Sequence, residues 1–507
     1  MIKSVRKFFP VHRDSTDLSL SAGQRYRFSF NDKRLAHRVD KTIDLLVRRH
    51  SQRIDSLSLN RKDSVATYRL LDNDKIDCGE LINYCCNPPA EKVIDNELLV
   101  LGDGSTLNVN LNGHGARASW AKQHSCLVNS KVAGFQFMAG LVVDQQSHDI
   151  IGLSDLMLYD SPRDLRSQKK RHGERRERLK LPLEERESGS WTILADNSIA
   201  SLPGAKRITF VFDREADSYE NMTHLMQKTG GDFIIRQKYN RKASEVNKDK
   251  EATLSDLLEG QQWVGEQHIK LAALNHYNTH KRKKRLRKKR KAKLKIRYIH
   301  LDVAVPKDYY KFHHDRPVMK EPLYLVEVLE DESTVPAGEK PVHWKMWTTW
   351  KVEDIKTAWQ VVDAYRARWN VEQLFRLLKT DGINLEDSQL NHPDRIKRLL
   401  IMSTKASVNA LKLVQARSGE HFTAISEMFS EEEQGVLKKL NGEVSTKGSS
   451  VHNPHAGNSL AFAAWIIARL GGWNGYESQR PPGPIKMHRG LKRFYEITKW
   501  KKLFEEE

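Results

Sequence analysis

The chain has 507 residues, with 85 lysines and arginines against 65 aspartates and glutamates, so its formal charge is +20. This length provides for about three domains, and the positive charge is typical of proteins that neutralise phosphates. Four cysteines without paired spacing exclude a disulfide scaffold, and no apolar stretch is long enough to span a bilayer. We therefore expect a cytoplasmic protein without membrane contact.

The N-terminal region, residues 1–88, has the pattern of a helical domain. Its segment from Lys33 to Arg53 has polar and basic faces, which predicts either helices that bind DNA or a solvated helical bundle. The turn Asn87-Pro88-Pro89 marks the predicted junction with the next domain.

Two short apolar runs each lead to an aspartate. Leu98–Leu101 precedes Asp103, and Ile208–Phe212 precedes Asp213. Runs of this kind predict buried strands, and a carboxylate at a strand's end lies where a ligand can approach the sheet. Either aspartate alone could instead be a turn residue or a helix N-cap. Two further strands are predicted from Gly134 and from Asp149.

A dense basic run, KRKKRLRKKRKAKLK, occupies residues 281–295. Such a run predicts a solvated loop or, in a DNA-binding protein, a segment that follows the phosphate backbone. The alternating apolar residues in KIRYIHLDVAVP and PLYLVEVLED predict strands around it. We therefore expect a β-rich unit at about residues 232–351.

The segment YRARWNVEQLFRLLK predicts one helix over residues 365–379. At about 100° of rotation per residue, Tyr365, Arg368, Glu372 and Lys379 fall on one stripe, beside an apolar face that packs inward. An acid beside two cations suits phosphodiester chemistry, and Glu372 could join the two upstream aspartates as an oxygen ligand for Mg²⁺. The alternative is an ordinary amphipathic helix with ion pairs on its charged face.

These motifs together resemble the cut-and-paste bacterial transposases of the DDE superfamily, in the insertion-sequence IS-four group with Tn-five-like enzymes. The signature of that group, Y-x2-R-x3-E-x6-K, is matched by Tyr365, Arg368, Glu372 and Lys379. The second acidic motif of the group, DREAD, stands intact at Asp213–Asp217. In the first motif, DGST, the threonine lies further from the aspartate than is usual in the family, which leaves its role open.

The resemblance implies an α/β fold with an RNase H-like catalytic core. This core would cover residues 89–395 and contain the β-rich insertion at about 232–351. A helical DNA-binding domain, residues 1–88, would precede it, and a helical dimerisation domain, residues 396–507, would follow it.

The resemblance also implies the chemistry. Asp103, Asp213 and Glu372 would bind two Mg²⁺ ions, with Mn²⁺ able to substitute, and would nick the transposon end, form and open a hairpin, and join the 3′-hydroxyl ends to target DNA. The partners would be double-stranded DNA, as end repeats and target, and a second protomer in the synaptic complex. Two alternatives stay open: an RNase H-like nuclease without strand transfer, and a catalytically silent DNA-binding derivative.

Five further roles follow from the resemblance, all of them contacts with DNA. Tyr365, Arg368 and Lys379 would bind the phosphate next to the terminal nucleotide, and Arg214 would add another phosphate contact. Trp344 would stack on a flipped base.

Trp347 and Trp350 are alternatives for this stacking role, although a place in the core explains both more simply. Asp217 could support the metal ligands or cap the helix after DREAD, and a structural role is favoured.

Overall fold

The structure is a computed structural model, and it describes residues 32–49, 53–54, 61–110, 127–129, 132–159, 180–271, 274–277, 283–311, 316–379, 382–390, 392–445, 451–476 and 479–505. Twelve strands of this part of the chain form one mixed sheet, and two more form a separate hairpin. None of the helices in these ranges is long and apolar enough to cross a membrane.

The strands are β1 (Glu97–Asn110), β2 (Leu127–Asn129), β3 (Val132–Asp144), β4 (Ile150–Tyr159), β5 (Arg207–Phe212), β6 (Asp232–Arg236), β7 (Lys242–Glu245), β8 (Ala252–Thr253), β9 (Gly265–Leu271), β10 (Leu274–Tyr277), β11 (Lys283–Arg287), β12 (Arg290–Val303), β13 (Leu323–Glu330) and β14 (His343–Thr348). The helices are α1 (Lys33–Arg49), α2 (Arg61–Leu71), α3 (Cys78–Cys85), α4 (Ser190–Ser201), α5 (Tyr219–His224), α6 (Leu254–Glu259), α7 (Ile355–Ala367), α8 (Trp369–Lys379), α9 (Pro393–Ala416), α10 (Glu431–Val444), α11 (Leu460–Leu470) and α12 (Pro484–Glu505).

The order of strands in the main sheet is β2-β3-β1-β5-β6-β14-β13-β12-β7-β8, with β4 also paired to β3 and β9 to β12. Strands β4, β3 and β1 are antiparallel, whereas β1, β5 and β6 are parallel to one another. Strand β14 then pairs antiparallel with β6. The β-rich segment therefore continues the same sheet, and its first strand, β6, is a parallel neighbour of β5.

Both faces of the sheet are covered, because the apolar side chains of β1 alternate between two cores. Leu98 and Val100 pack on the face that carries Trp191 of α4. Leu99 and Leu101 belong to the opposite core, which α8 and α9 also build. The continuous apolar run in this strand is thus explained by burial on two sides.

The basic run forms strands over its described residues, 283–295, so the prediction of a loop is wrong there. Ala292, Leu294 and Ile296 are buried at alternate positions of β12, and this pattern fixes the strand despite the charges between them. Lys293 and Lys295 on the other face form ion pairs with acids of neighbouring segments, at 2.6 Å each. These two charges of the run are therefore paired within the protein.

The N-terminal helices pack on the C-terminal ones. Helix α1 contacts α9 and α12, and α3 contacts α9. Arg398 of α9 is buried and donates hydrogen bonds to the backbone oxygens of Leu71 and Ile76, at 2.6 Å and 3.1 Å. Arg395, one turn before Arg398 in α9, forms an ion pair with Asp72. The two ends of the chain therefore share one helical core.

Helices α11 and α12 approach so closely that their contact requires glycine. A β-carbon added to Gly490 would lie 1.7 Å from the backbone oxygen of Ile467. One added to Gly471 would lie 2.0 Å from the backbone oxygen of Lys486. No side chain fits at either position unless the two backbones move apart.

Candidate active site

Asp213 and Asp103 both lie just beyond the parallel pairing of β1 with β5. The last residue pair of that ladder is Leu101 with Val211, and β5 ends at Phe212. Asp213 therefore follows the strand, as the sequence predicts. Its carboxylate accepts a hydrogen bond from the backbone nitrogen of Glu215, at 2.7 Å, in the turn that follows.

Asp103 does not end its strand, and the prediction that it would is wrong. Strand β1 continues to Asn110, because β3 pairs with it along its whole length. Asp103 stands opposite Ala139 in this antiparallel ladder. Asp103 nevertheless lies beside the end of β5, because the parallel ladder stops at the pair of Leu101 with Val211.

The single helix predicted for residues 365–379 is two helices, α7 and α8, which meet at Arg368. The backbone nitrogen of Arg368 bonds to the oxygen of Tyr365, and that of Val371 bonds to the oxygen of Arg368, at 3.2 Å and 3.1 Å. These bonds span three residues instead of four, so the backbone tightens at the junction. The predicted apolar face is buried, through Val371, Leu374, Phe375 and Leu378.

Arg368 joins two of the predicted acids. Its Nη1 lies 2.9 Å from Oδ2 of Asp103, and its Nη2 donates to Oε1 of Glu372. The guanidinium is 14% exposed and so interacts with both carboxylates away from most of the solvent. A residue predicted to bind a phosphate is therefore the counterion of two acids in this structure.

The electrostatics link all three acids. Burial raises the pKa of Asp103 and of Glu372, the charge of Arg368 lowers both values, and the charge of Asp213 raises both again. The pKa of Arg368 is lowered by burial, but the nearby carboxylates outweigh this effect and raise it. The three carboxylates therefore lie close enough to repel one another, in a setting that favours a compensating cation.

The other two signature residues lie beside this group. Tyr365 is buried, and its ring centroid is 5.9 Å from the guanidinium carbon of Arg368. Lys379 is partly buried, which lowers its pKa, while the charges of Glu386 and Asp103 raise it. All four residues of the stripe thus meet around Asp103, although a helix break separates them.

Trp344 lies on β14, half-buried, and its ring meets that of Tyr365 edge-on at 6.0 Å between centroids. Trp347 and Trp350 are buried, as a place in the core predicts. The indole nitrogen of Trp350 donates to Oγ1 of Thr209, at 3.0 Å. Of the three indoles, Trp344 alone lines the cleft described below.

The DREAD motif divides into an exposed and a buried part. Arg214 is exposed in the turn after β5. Asp217 is buried and accepts hydrogen bonds from the backbone nitrogens of Lys238 and Tyr239, at 2.6 Å and 3.0 Å, and from the side chain of Arg241. The helix cap is Ser218, so the N-cap interpretation of Asp217 is wrong and the aspartate anchors a neighbouring loop instead.

A cleft of about 1150 Å³ opens beside Tyr365, Arg368 and Glu372. Its lining contains one acid, Glu372, and many cations. Besides Arg366 and Arg368, the cations are Arg236, Lys270, Arg287, Arg376, Arg417 and Arg480. Apart from Arg287, which belongs to the basic run, these six cations could not be grouped from the sequence, because they come from six separate segments and share no local spacing.

The donor chemistry of Asp103, Asp213 and Glu372 fits a hard divalent cation, which prefers carboxylate oxygens. Across the described ranges, however, no three histidine, cysteine, aspartate or glutamate side chains are grouped closely enough to hold an ion. Arg368 accounts for part of this, since it binds two of the three acids. The residues fit the ion by their chemistry, while two of them are bound to Arg368 in this structure.

Two family models match the chain. Residues 26–76 match the transposase DNA-binding model, and this range includes α1 and α2. Residues 191–409 match the transposase DDE domain, and this range includes Asp213, the junction of α7 with α8, and Glu372. The chain therefore contains one segment that matches a transposase DNA-binding domain and a longer one that matches a transposase DDE domain.

Proposed function

We propose that this protein is a cut-and-paste transposase of the IS-four group. It binds the end repeats of its element, cleaves them through metal-dependent nicks and hairpin intermediates, and joins the 3′-hydroxyl ends to target DNA. The observation that carries this proposal is the bridge from Arg368 to Asp103 and Glu372, within electrostatic reach of Asp213 and beside a basic cleft.

The strand order supports an RNase H-like core. Three antiparallel strands, β4, β3 and β1, are followed by the parallel strands β5 and β6, and helices cover both faces. In this arrangement Asp103 and Asp213 come from adjacent strands, and Glu372 comes from a helix packed on the same sheet.

Asp103, Asp213 and Glu372 would hold two Mg²⁺ ions, or Mn²⁺ in their place. Bound metal supplies activation of the attacking oxygen and stabilisation of the leaving oxygen at phosphorus. Arg368, once released from the acids, presents a planar fork suited to a phosphate, and Lys379 contributes a point charge. The guanidinium carbon of Arg368 lies over the ring of Tyr365, 5.9 Å from its centroid, so this ring helps to hold the guanidinium in place.

Trp344 is the proposed platform for a flipped base. It lines the cleft, and the edge of Tyr365 supports its ring. Stacking of this kind contributes about 1 to 3 kcal/mol per base. Trp344→Ala is therefore expected to slow hairpin formation about 5- to 150-fold while leaving the first nick less affected.

The proposed partners are duplex DNA, as end repeats and as target, and a second protomer in the synaptic complex. The proposed location is the cytoplasm, at the nucleoid when DNA is bound. Arg214, exposed beside Asp213, is a further candidate for a phosphate contact.

The test is a denaturing-gel assay of purified protein with Mg²⁺ and DNA that carries the element's own end repeats. Metal-dependent nicks and hairpins at the repeat boundary are expected, and Glu372→Ala should abolish them. Glu420→Ala removes a carboxylate from an exposed loop position outside the site and serves as the matched control. Binding without any cleavage by the wild type would overturn the catalytic assignment.

A joining assay separates the transposase from a nuclease of the same fold. Pre-cleaved ends with free 3′-hydroxyls are incubated with a supercoiled plasmid, and covalent strand transfer is scored. Cleavage without joining would favour the nuclease.

A further inference from the structure

The C-terminal helices contribute one wall of the catalytic cleft. Arg417 follows the last residue of α9, and Arg480 lies in the Pro-Pro-Gly segment that leads into α12. Both side chains line the same cleft as Glu372 and Tyr365. A region that the family resemblance assigns to dimerisation is therefore next to the proposed catalytic residues of its own chain.

Arg417 is held in place but not neutralised. Its Nη1 donates a hydrogen bond to the backbone oxygen of Pro482, at 2.7 Å. Burial lowers its pKa, and the charge of Arg480 lowers it further. Over the described parts of the chain, no carboxylate forms an ion pair with either guanidinium. Arg417 is half-buried and Arg480 is exposed. Two like charges that line one cleft are stabilised when an anion binds between them.

Two other cations of this cleft, Arg366 and Arg368, differ in this respect. Arg366 forms an ion pair with Asp363 at 2.7 Å, and Arg368 is bound to two acids. The positive wall also continues beyond the cleft, because Arg480 lines a second cavity together with Lys486 and Arg489 of α12. An extended polyanion matches this continuous surface better than a single small anion does.

We infer that Arg417 and Arg480 form a clamp for the phosphate backbone of DNA that lies across the catalytic cleft. This inference rests on the proposed function and extends it, since it makes the C-terminal region a DNA-binding surface as well as the proposed dimer contact. The clamp contacts backbone phosphates only, so it positions the DNA and does not read its sequence.

The test compares the full-length wild type with the double variant Arg417→Gln/Arg480→Gln. Binding of a fluorescein-labelled duplex, which carries the end repeat and its flank, is measured by anisotropy in EDTA at several salt concentrations. The slope of log K against log salt is negative, and each lost phosphate contact makes it less steep by about 0.9. The double variant should therefore have a slope that is less steep by about 1.8. An Arg417→Lys/Arg480→Lys variant keeps both charges and should keep most of the slope.

The matched control is Lys438→Gln/Lys492→Gln, which removes two exposed charges from α10 and α12 outside the cleft. Its slope should stay close to that of the wild type. An unchanged slope in the arginine double variant would overturn the clamp. A fall in affinity with an unchanged slope and a lower melting temperature would also overturn it, because the arginines would then be structural.

Inorganic phosphate tests the alternative that the two arginines bind a small anion instead of DNA. If phosphate raises the melting temperature of the wild type but not of the double variant, and the DNA slopes of the two are equal, the pair is a small-anion site and the DNA clamp is rejected. The assay needs no cleavage, so its failure is separate from that of the proposed function. If the wild type cleaves DNA in Mg²⁺ but the double variant keeps the wild-type slope, only the clamp is rejected. If the double variant has a less steep slope but the wild type does not cleave in Mg²⁺, only the transposase proposal is rejected.

Discussion

At the scale of single residues, the ion pairs of Arg368 in this structure and its proposed contact with a phosphate exclude each other. Its guanidinium is bound to Asp103 and Glu372, which are the carboxylates that the proposed metal ions require. The arginine is therefore the counterion of both acids in this structure. Under the proposed function it would become available to a phosphate only when a metal ion takes over the acids, so that metal binding and phosphate binding would be coupled through one side chain.

Arg368→Gln should destabilise the metal-free protein, because two partly buried carboxylates lose their counterion. The expected loss in the free energy of unfolding is about 3 kcal/mol in EDTA. Mg²⁺ should raise the melting temperature of the variant more than that of the wild type, since the ion replaces the missing charge. Thermal unfolding with EDTA and with Mg²⁺ measures both effects.

The control for this experiment is Arg366→Gln, two positions before Arg368, which removes an exposed arginine paired with Asp363. An exposed pair of this kind contributes at most about 1 kcal/mol. Equal Mg²⁺ effects in the wild type and the Arg368 variant would contradict the coupling.

Glu327 provides a prediction for pH. It is buried on β13, and burial raises its pKa, but hydrogen bonds from His343 and Arg297 and the charge of Lys345 outweigh this effect and lower the pKa to about 2. A lowered pKa in the folded state gives stability that is present above the unfolded pKa and is lost as the pH falls towards the folded value.

Glu327→Gln should therefore reduce the free energy of unfolding at neutral pH, by on the order of 3 kcal/mol. The difference from the wild type should be constant from about pH 7 to pH 5 and should then shrink as the pH falls further. Urea denaturation of both proteins between pH 7 and pH 3 measures it. A difference that does not change with pH would show that the charge of Glu327 is not responsible.

At the scale of elements, the contact between α11 and α12 depends on the absence of a side chain. Gly490→Ala places a β-carbon against the backbone oxygen of Ile467, so the helices must separate. We expect a loss of about 3 kcal/mol in the free energy of unfolding, measured by urea denaturation.

Gly435→Ala is the control, because a β-carbon there meets nothing within 4 Å in the middle of α10. This change should be neutral or should stabilise the protein by up to about 1 kcal/mol, as alanine is the better helix former. If both variants lose the same stability, helix contact is not the reason.

The elements show which parts of this fold the sequence predicts. Local periodicity is enough for β5 with Asp213 after it, and for the buried face of α8. It does not predict that β1 continues past Asp103, because that depends on pairing with a strand formed by later residues. The break at Arg368 also has no local signal, since no glycine or proline interrupts the segment.

Part of the candidate site can also be predicted from the sequence, and part cannot. The acids and the stripe residues lie in compact motifs and could be identified from the sequence. Arg417 and Arg480 could not, because single arginines in a strongly basic chain carry no signal until the fold brings them to one cleft. The charge of the basic run, in contrast, predicts a loop, whereas the alternating apolar residues Ala292, Leu294 and Ile296 indicate the strand that forms.

At the scale of the whole molecule, the N-terminal helices depend on the C-terminal ones for their core. Arg398→Met should leave the backbone oxygens of Leu71 and Ile76 unpaired and buried, at a cost of about 2 to 3 kcal/mol. Hydrogen exchange should accelerate more in α2 and α3 than in β1, because the lost hydrogen bonds tie those helices to α9. Exchange measured by mass spectrometry on the intact protein tests this.

Equal acceleration in α3 and β1 would instead mean that the protein opens as one cooperative unit. Lys438→Met, at an exposed position of α10, is the control for the change in side-chain type. It should leave the exchange of all three elements unchanged.

The bridge at Arg368 also has a consequence for how the protein is made. Arg368 and Asp103 are 265 positions apart, whereas Arg368 and Glu372 are only four apart. During synthesis on the ribosome, Asp103 emerges long before either of them, and a nascent chain that stops short of α8 lacks the third acid altogether. The arginine and the glutamate then leave the ribosome together. A nascent chain that ends before α8 therefore lacks the complete set of proposed catalytic acids, and the last acid of the set is made together with its own counterion.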